Sequence, residues 1–259
     1  MSADTPLTPL FHSGGRRESP SGVTTGTNFS GSQPSAPIWL TDDVLFRYQR
    51  CHRRAYLDLF GDTTLQDAPS DYLLKLRQDS ALHRQESLDA FQPLVQPEYA
   101  SGDWAAGAQA TLALMALGVD VIHRGVLLTH APWGQASLVS QPDLLVKEPG
   151  WSRWGNWTYT PIDIKLGKKP KLDYQIVAAY HAYVLARVQG VWPEASCLLL
   201  RNGQRYDVDL DRLVIKLQEV LNNCLRDLQG NETPELFISH SRCDLCQWFS
   251  QCYNQAQAT

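Results

Sequence analysis

The chain has 259 residues, 43% of them hydrophobic, and a formal net charge of −4, which is enough for one large domain or two small ones with a buried core. No apolar run approaches the roughly 18 residues that cross a bilayer, and the start of the sequence lacks the charged-then-apolar pattern of a secretory signal, so a cytoplasmic protein away from membranes is expected. The mild negative charge argues against a general nucleic-acid coat protein but does not exclude local basic patches.

Residues 1–37 are mostly Ser, Thr, Gly, Pro and Ala; with little to bury they read as a disordered tail, leaving 38–259 as the folded domain. Thr41 is a good N-cap for a helix with Val44, Leu45, Tyr48, Tyr56 and Leu57 at helical spacing, and this helix carries Cys51. A second helix is expected over 70–91, with Leu73, Leu76, Leu82 and Leu88 apolar, and it carries His83. An Ala-rich third helix over 104–117 is stopped by Gly118.

From there the periodicity changes. Residues 119–130, 136–147 and 157–166 are β-branched and aromatic with polar residues interleaved, and are bounded by Pro132-Trp133-Gly134 and Pro149-Gly150. Residues 172–188 form a long helical pattern. Strands at 196–201 and 205–210 flank Asn202-Gly203, a strong hairpin signal, and Asp211 caps a last helix to about Leu228. The order implies an α/β domain with a mixed central sheet flanked by helices. No internal repeat is present.

Asp143 ends the stretch Ser137-Leu-Val-Ser-Gln-Pro142-Asp143 in the second strand, and Asp163 and Lys165 lie two apart on the third. Strand geometry sends those two side chains to one face and Ile164 to the other. Two aspartates can hold Mg²⁺ or Mn²⁺, and a lysine can orient or activate a water beside them, which is the division of labour that phosphodiester hydrolysis needs. Lys165, Lys168, Lys169 and Lys171 form one basic run and Arg47, Arg50, Arg53 and Arg54 another, enough to contact phosphates over a limited surface.

Six cysteines without an export signal read as thiols or metal ligands, not disulfides. Cys197 and Cys224 sit in apolar settings and read as core residues. Cys51 and the C-terminal set Cys243, Cys246 and Cys252 remain, four in all, the number that a tetrahedral metal site or an iron–sulfur cluster requires. Trp151, Trp154 and Trp157 recur in a Gly-flanked stretch between the motif strands. Trp157 reads as a packed strand residue, and loop packing is favoured for the other two over stacking on unpaired bases. His123, His130 and His181 lie in no motif and are assigned nothing.

Pro142-Asp143 followed by Asp163-Ile164-Lys165 resembles the PD-(D/E)XK nuclease signature, and the elements around it are similar to that superfamily's core of a mixed sheet between helices. Within it the chain resembles the RecB-like nucleases. The resemblance implies that His83 completes the Mg²⁺ or Mn²⁺ site with Asp143 and Asp163. It also implies that Gln175, in Lys171-Leu-Asp-Tyr-Gln175-Ile-Val-Ala-Ala-Tyr180, belongs to a Gln-x3-Tyr helix lying along the substrate backbone. The chain departs from that pattern: position 179 is Ala, and at about 100° per residue Tyr180 points about 140° away from Gln175.

One N-terminal and three C-terminal cysteines resemble the subgroup that includes the CRISPR-associated iron–sulfur exonucleases and the AddB-type helicase–nucleases. That resemblance implies a [4Fe–4S] cluster on Cys51, Cys243, Cys246 and Cys252, with zinc the runner-up. It implies single-stranded DNA as substrate, exonuclease action in DNA repair, and helicase, recombination or CRISPR-type partner proteins. Lys168, Lys169 and Lys171 would hold the strand with Gln175. The rival expectations are a non-catalytic DNA-binding or assembly subunit that keeps the fold, and an iron–sulfur electron carrier.

Overall fold

The computed structural model describes residues 38–131, 136–230 and 232–258. The tail read at 1–37 and the turn at 132–134 lie outside them.

Thr41 ends a short strand, β1 (Ile38–Thr41), that has no signature in the sequence, and its hydroxyl accepts the Val44 N–H at 3.2 Å to start helix α1 (Asp42–Arg50). Acidic Asp42 and Asp43 in the first turn and basic Arg47 and Arg50 in the last suit the helix dipole. The helix expected to run through Cys51 breaks there. Cys51 is extended, and its sulfur accepts the Arg54 N–H at 3.4 Å, capping a second helix, α2 (His52–Phe60). The thiol therefore sits at a joint between two helices.

Helix α3 (Asp71–Leu88) is capped by Ser70 and is peripheral: Leu88 is buried, while Leu76 and Leu82 are exposed. Helix α4 (Trp104–Ala116) ends before Gly118, whose φ of +68° favours glycine and where a Cβ would lie 3.4 Å from the Trp157 ring.

The strands expected over 119–130 and 136–147 each break once. The first divides into β2 (Val121–His123) and β3 (Leu127–His130), the second into β4 (Ala136–Ser140) and β5 (Leu144–Ser152). The breaks face each other: the Arg124 N–H donates to the Asp143 carbonyl at 3.0 Å, and Gln141 Nε2 donates to the Arg124 carbonyl at 3.2 Å. Arg124 has a φ of 51°, and a Cβ at Gly125 would come within 2.8 Å of Leu145. Pro142 has no N–H to give to a ladder.

The two halves of this ribbon consequently enter different sheets. One is ordered β1-β4-β3, with β1 parallel and β3 antiparallel to β4. The other adds β6 (Gly155–Lys165), β7 (Cys197–Leu200) and β8 (Arg205–Asp207) in the order β2-β5-β6-β7-β8, with β6 and β7 parallel and the other neighbours antiparallel. The protein is mixed α/β as expected, with two mixed sheets in place of one. Pro149-Gly150 does not end a strand either; β5 continues to Ser152 with a register shift after Pro149.

Helix α5 (Leu172–Gln189) packs on β6, on β3 and β4, and against α1 and α6 (Leu210–Gln229). Ile176 through Ala186 are buried without a break, as befits a helix apolar on nearly every side. Each large apolar side chain here, such as Leu185, contributes about 1.5–3 kcal/mol by leaving water. Asp209, not Asp211, caps α6 by accepting the Arg212 N–H at 3.1 Å. Two short helices, α7 (His240–Cys243) and α8 (Phe249–Gln257), finish the chain. Among the described residues no helix is long and apolar enough to cross a membrane.

Candidate functional site

β5 and β6 pair antiparallel with Leu144 opposite Ile162, so the residue before β5 and the end of β6 meet. Asp143 Oδ2 accepts the Ile164 N–H at 2.7 Å. Ile164 itself is buried on the opposite face, while Asp163 and Lys165 flank it and contact each other, Nζ to Oδ2, at 2.7 Å. Asp143, Asp163 and Lys165 are thus gathered in one place. Both aspartates are buried, where an unpaired carboxylate would be costly.

Each carboxylate has a cationic partner. Arg84 Nε lies 2.6 Å from Asp143 Oδ1. Asp163 Oδ2 is met by Lys165 and by His181 of α5, whose Nε2 is 3.3 Å away. Burial pushes the Asp163 carboxyl up, but Lys165 and His181 together outweigh it and hold the group well below the usual carboxylate range. Burial opposes the charged form of Lys165 as well, yet Asp163, Asp143 and Asp42 raise it above the ordinary lysine value.

Two of these neighbours, His181 and Asp42, lie in no sequence motif. His181 is almost fully buried, with Nδ1 2.7 Å from Ser140 Oγ; burial pulls its proton affinity down, and Asp163 and Asp42 more than restore it. Asp42, the first residue of α1, accepts the Gln141 N–H at 3.0 Å, and burial raises its carboxyl despite the attraction of His181. A polar residue inside an otherwise apolar helical run was the available signal for His181. Asp42 had none, because an acidic residue in a first turn is already explained by the helix dipole.

Other expected site residues fall differently. His83 is half-buried on α3, with Nε2 buried and lacking a hydrogen-bond partner; the residue of that helix that reaches Asp143 is its neighbour Arg84. Gln175 is engaged internally, donating from Nε2 to the Pro170 carbonyl at 2.6 Å and accepting from the Tyr206 hydroxyl at 3.4 Å. Tyr180 is fully buried and donates to the Leu40 and Val139 carbonyls. Lys168, Lys169 and Lys171 are exposed beyond Lys165, and the Lys165 and Lys171 ammonium groups lie 5.8 and 6.0 Å from the Tyr174 ring centroid.

The arginine run is not a free phosphate surface. Arg47 pairs with Asp43 and Asp58, Arg50 with Asp173 and Arg54 with Asp58; Arg53 is buried and donates to the Pro234 carbonyl and Gln255. Among the tryptophans, Trp151 is exposed at the far end of the β5–β6 hairpin from Asp143. Trp154 packs on the core, and Trp157 donates Nε1–H to the Met115 carbonyl at 3.1 Å.

Cys197 and Cys224 are fully buried, whereas Cys51, Cys243, Cys246 and Cys252 are half-buried. Burial pushes the Cys246 and Cys252 thiols up; Cys51 and the neighbouring C-terminal thiols add to this, and Arg54 and Arg53 oppose it. The α1–α2 joint and the C-terminal cysteines therefore lie within electrostatic reach. Trp248, 1% exposed, fastens the same segment by donating Nε1–H to Asp58 at 2.6 Å. Phe249 is exposed. Among the described residues, no three of His, Cys, Asp or Glu are drawn together closely enough to hold a metal ion. By chemistry alone, the hard carboxylate oxygens of Asp143 and Asp163 suit Mg²⁺ or Mn²⁺, and four thiols suit iron–sulfur or zinc.

No known family model matches this chain, and no curated protein matches it. Among solved structures, the crystal structure of SSO0001 is similar at 13% identity, over 85% of this chain and 87% of that one, with a TM-score of 0.37.

Proposed function

We propose that this chain is a RecB-like nuclease of the PD-(D/E)XK superfamily, hydrolysing phosphodiester bonds of DNA with Mg²⁺ or Mn²⁺. The observation that carries the reading is the hydrogen bond from the Ile164 N–H to Asp143, which sets the carboxylate of one strand beside the Asp163–Lys165 pair of the next. Two buried aspartates and a lysine at adjoining ends of two interior strands of a mixed sheet, with helices packed on it, are the arrangement that the sequence resemblance leads one to expect.

Asp143 and Asp163 would hold the divalent ion, with His83 the remaining donor on α3; its buried, unpartnered Nε2 supports that role. When bound, such an ion supplies charge neutralisation at the phosphate and a more acidic water. Lys165 keeps its proton through the surrounding aspartates and would orient the attacking water through an N–H donor. Lys168, Lys169 and Lys171 would hold a single DNA strand by its phosphates. A [4Fe–4S] cluster on Cys51, Cys243, Cys246 and Cys252, or zinc in its place, would staple the α1–α2 joint to the chain end and contribute folding energy.

The second reading, a non-catalytic DNA-binding subunit, is favoured by the Arg84–Asp143 pair, which already neutralises one of the two aspartates. Anaerobically purified protein incubated with end-labelled single- and double-stranded DNA, with and without Mn²⁺, separates the two. Mn²⁺-dependent cleavage that disappears in Asp163→Asn is the expected result; binding without cleavage would establish the second reading. Iron and sulfide analysis of the same preparation decides between cluster and zinc.

A further inference from the structure

His181 stands out as a buried side chain able to carry charge, in contact with Asp163 of the proposed catalytic set. It is 1% exposed, on a helix otherwise buried by apolar packing, and both ring nitrogens lie beside polar atoms: Nδ1 is bonded to Ser140 Oγ at 2.7 Å, and Nε2 is 3.3 Å from Asp163 Oδ2. Among the described residues Nε2 makes no hydrogen bond, so its contact with Asp163 is one of charge and proximity. Ser140 is itself fully buried at the end of β4, just before the Gln141–Asp143 break.

We infer that His181, anchored by Ser140, is a positioning residue for Asp163, fixing which carboxylate oxygen is turned away from the protein and left to the reaction. The inference rests on the nuclease reading of Asp163.

Lys165 and His181 both approach the same oxygen, Oδ2, while Oδ1 makes no hydrogen bond or ion pair with the described residues. The terminal torsion of an aspartate is broad and roughly two-fold, so a carboxylate held at one point can exchange its oxygens. Lys165 does not prevent this well, because its ammonium rides on a flexible four-carbon stem. An imidazole has two torsions, and here its far nitrogen is fastened to Ser140. Ion-pair contacts reaching Oδ2 from β6 and from α5 favour the one carboxylate orientation that keeps Oδ2 between them and turns Oδ1 away.

The arrangement does not depend on the ring's charge. If the Ser140 hydroxyl donates to Nδ1, the proton sits on Nε2 and faces Asp163; if the ring is protonated, both nitrogens carry hydrogens and Ser140 accepts. The remaining tautomer would set an imidazole lone pair against a carboxylate and is repulsive.

The test is steady-state cleavage of a 5′-labelled single-stranded oligonucleotide with Mn²⁺ by the full chain and three variants, with thermal unfolding followed in parallel. His181→Leu removes the donor, and kcat should fall by roughly 30–100-fold with KM for DNA within about two-fold, as expected when a reacting group loses its orientation. His181→Gln restores an amide N–H and should recover kcat to within about five-fold of the parent. Ser140→Ala, which removes only the anchor, should lower kcat by about five-fold and covers the case in which His181→Leu fails to fold. A folded His181→Leu or a Ser140→Ala with the parent's kcat overturns the inference, as does a His181→Gln no better than His181→Leu. A parent protein that does not cleave at all removes the nuclease reading, and this inference with it.

Discussion

The backbone N–H of Ile164 is bonded at 2.7 Å to Oδ2 of Asp143, so the carboxylate at the break between β4 and β5 is tied to the strand residue that separates Asp163 from Lys165. Asp143 therefore has a structural task as well as its proposed chemical one. Its other oxygen balances Arg84, and the Asp143 carbonyl accepts from Arg124 across the paired breaks.

Asp143→Ala and Asp143→Asn should accordingly separate. Alanine leaves the buried Ile164 N–H without an acceptor and should lower unfolding stability by about 1–3 kcal/mol. Asparagine keeps a carbonyl oxygen for that N–H but sets its amide nitrogen against Arg84, which must turn to solvent, so it should lose less than alanine without matching the parent, with Mn²⁺-dependent cleavage lost in both. Urea unfolding measures the difference, and equal midpoints would mean that the bond contributes no stability.

Lys168, Lys169 and Lys171 are exposed, in contrast to the internally paired arginines. Replacing all three by alanine should reduce the slope of log K against log salt for single-stranded DNA by about 2, since each phosphate contact on a single strand contributes roughly 0.7. Fluorescence anisotropy on an Asp163→Asn background gives that slope. An unchanged value would place the DNA on another face.

Gln175 and Tyr180 should differ in kind. Tyr180→Phe deletes a buried hydroxyl that joins the β1 and β4 backbones; stability should drop by about 1 kcal/mol with kcat unchanged. Gln175→Ala releases the Pro170 carbonyl and loosens the segment carrying the lysines, so KM for DNA should rise by about three- to ten-fold, an amount set by lost positioning. Turnover that falls in Tyr180→Phe at full stability would contradict this division.

Cys197 and Cys224 should resist iodoacetamide at pH 8 in the native protein. Burial, with the hydrogen bond to Asp207, pushes the Cys197 thiol up to about 12, and burial, aided by the nearby Asp227 charge, raises Cys224 as well. Raising the value leaves little thiolate at pH 8, and the thiolate is the nucleophile. Peptide mass mapping should find both modified only after guanidinium unfolding. Labelling of either at the rate of an unfolded thiol would show that this part of the core opens readily.

What the sequence by itself determined is local. The two-residue spacing of Asp163 and Lys165 placed them on one face because a strand repeats every two residues; Thr41 capped a helix because its hydroxyl reaches an N–H three residues on; Gly118 ended one because it tolerates a positive φ; and Cys197 and Cys224 fell in the core because their neighbours are apolar. Only the tertiary structure decided that β1 pairs with β4, that two expected strands break opposite each other and enter different sheets, and that Arg84 is the residue of α3 that meets Asp143. It likewise brought Asp42, Ser140 and His181 to the Asp163–Lys165 pair. Each of these depends on segments far apart in the chain that meet only when the core is buried; periodicity and capping act over a few residues and carry no record of which distant partner will be met.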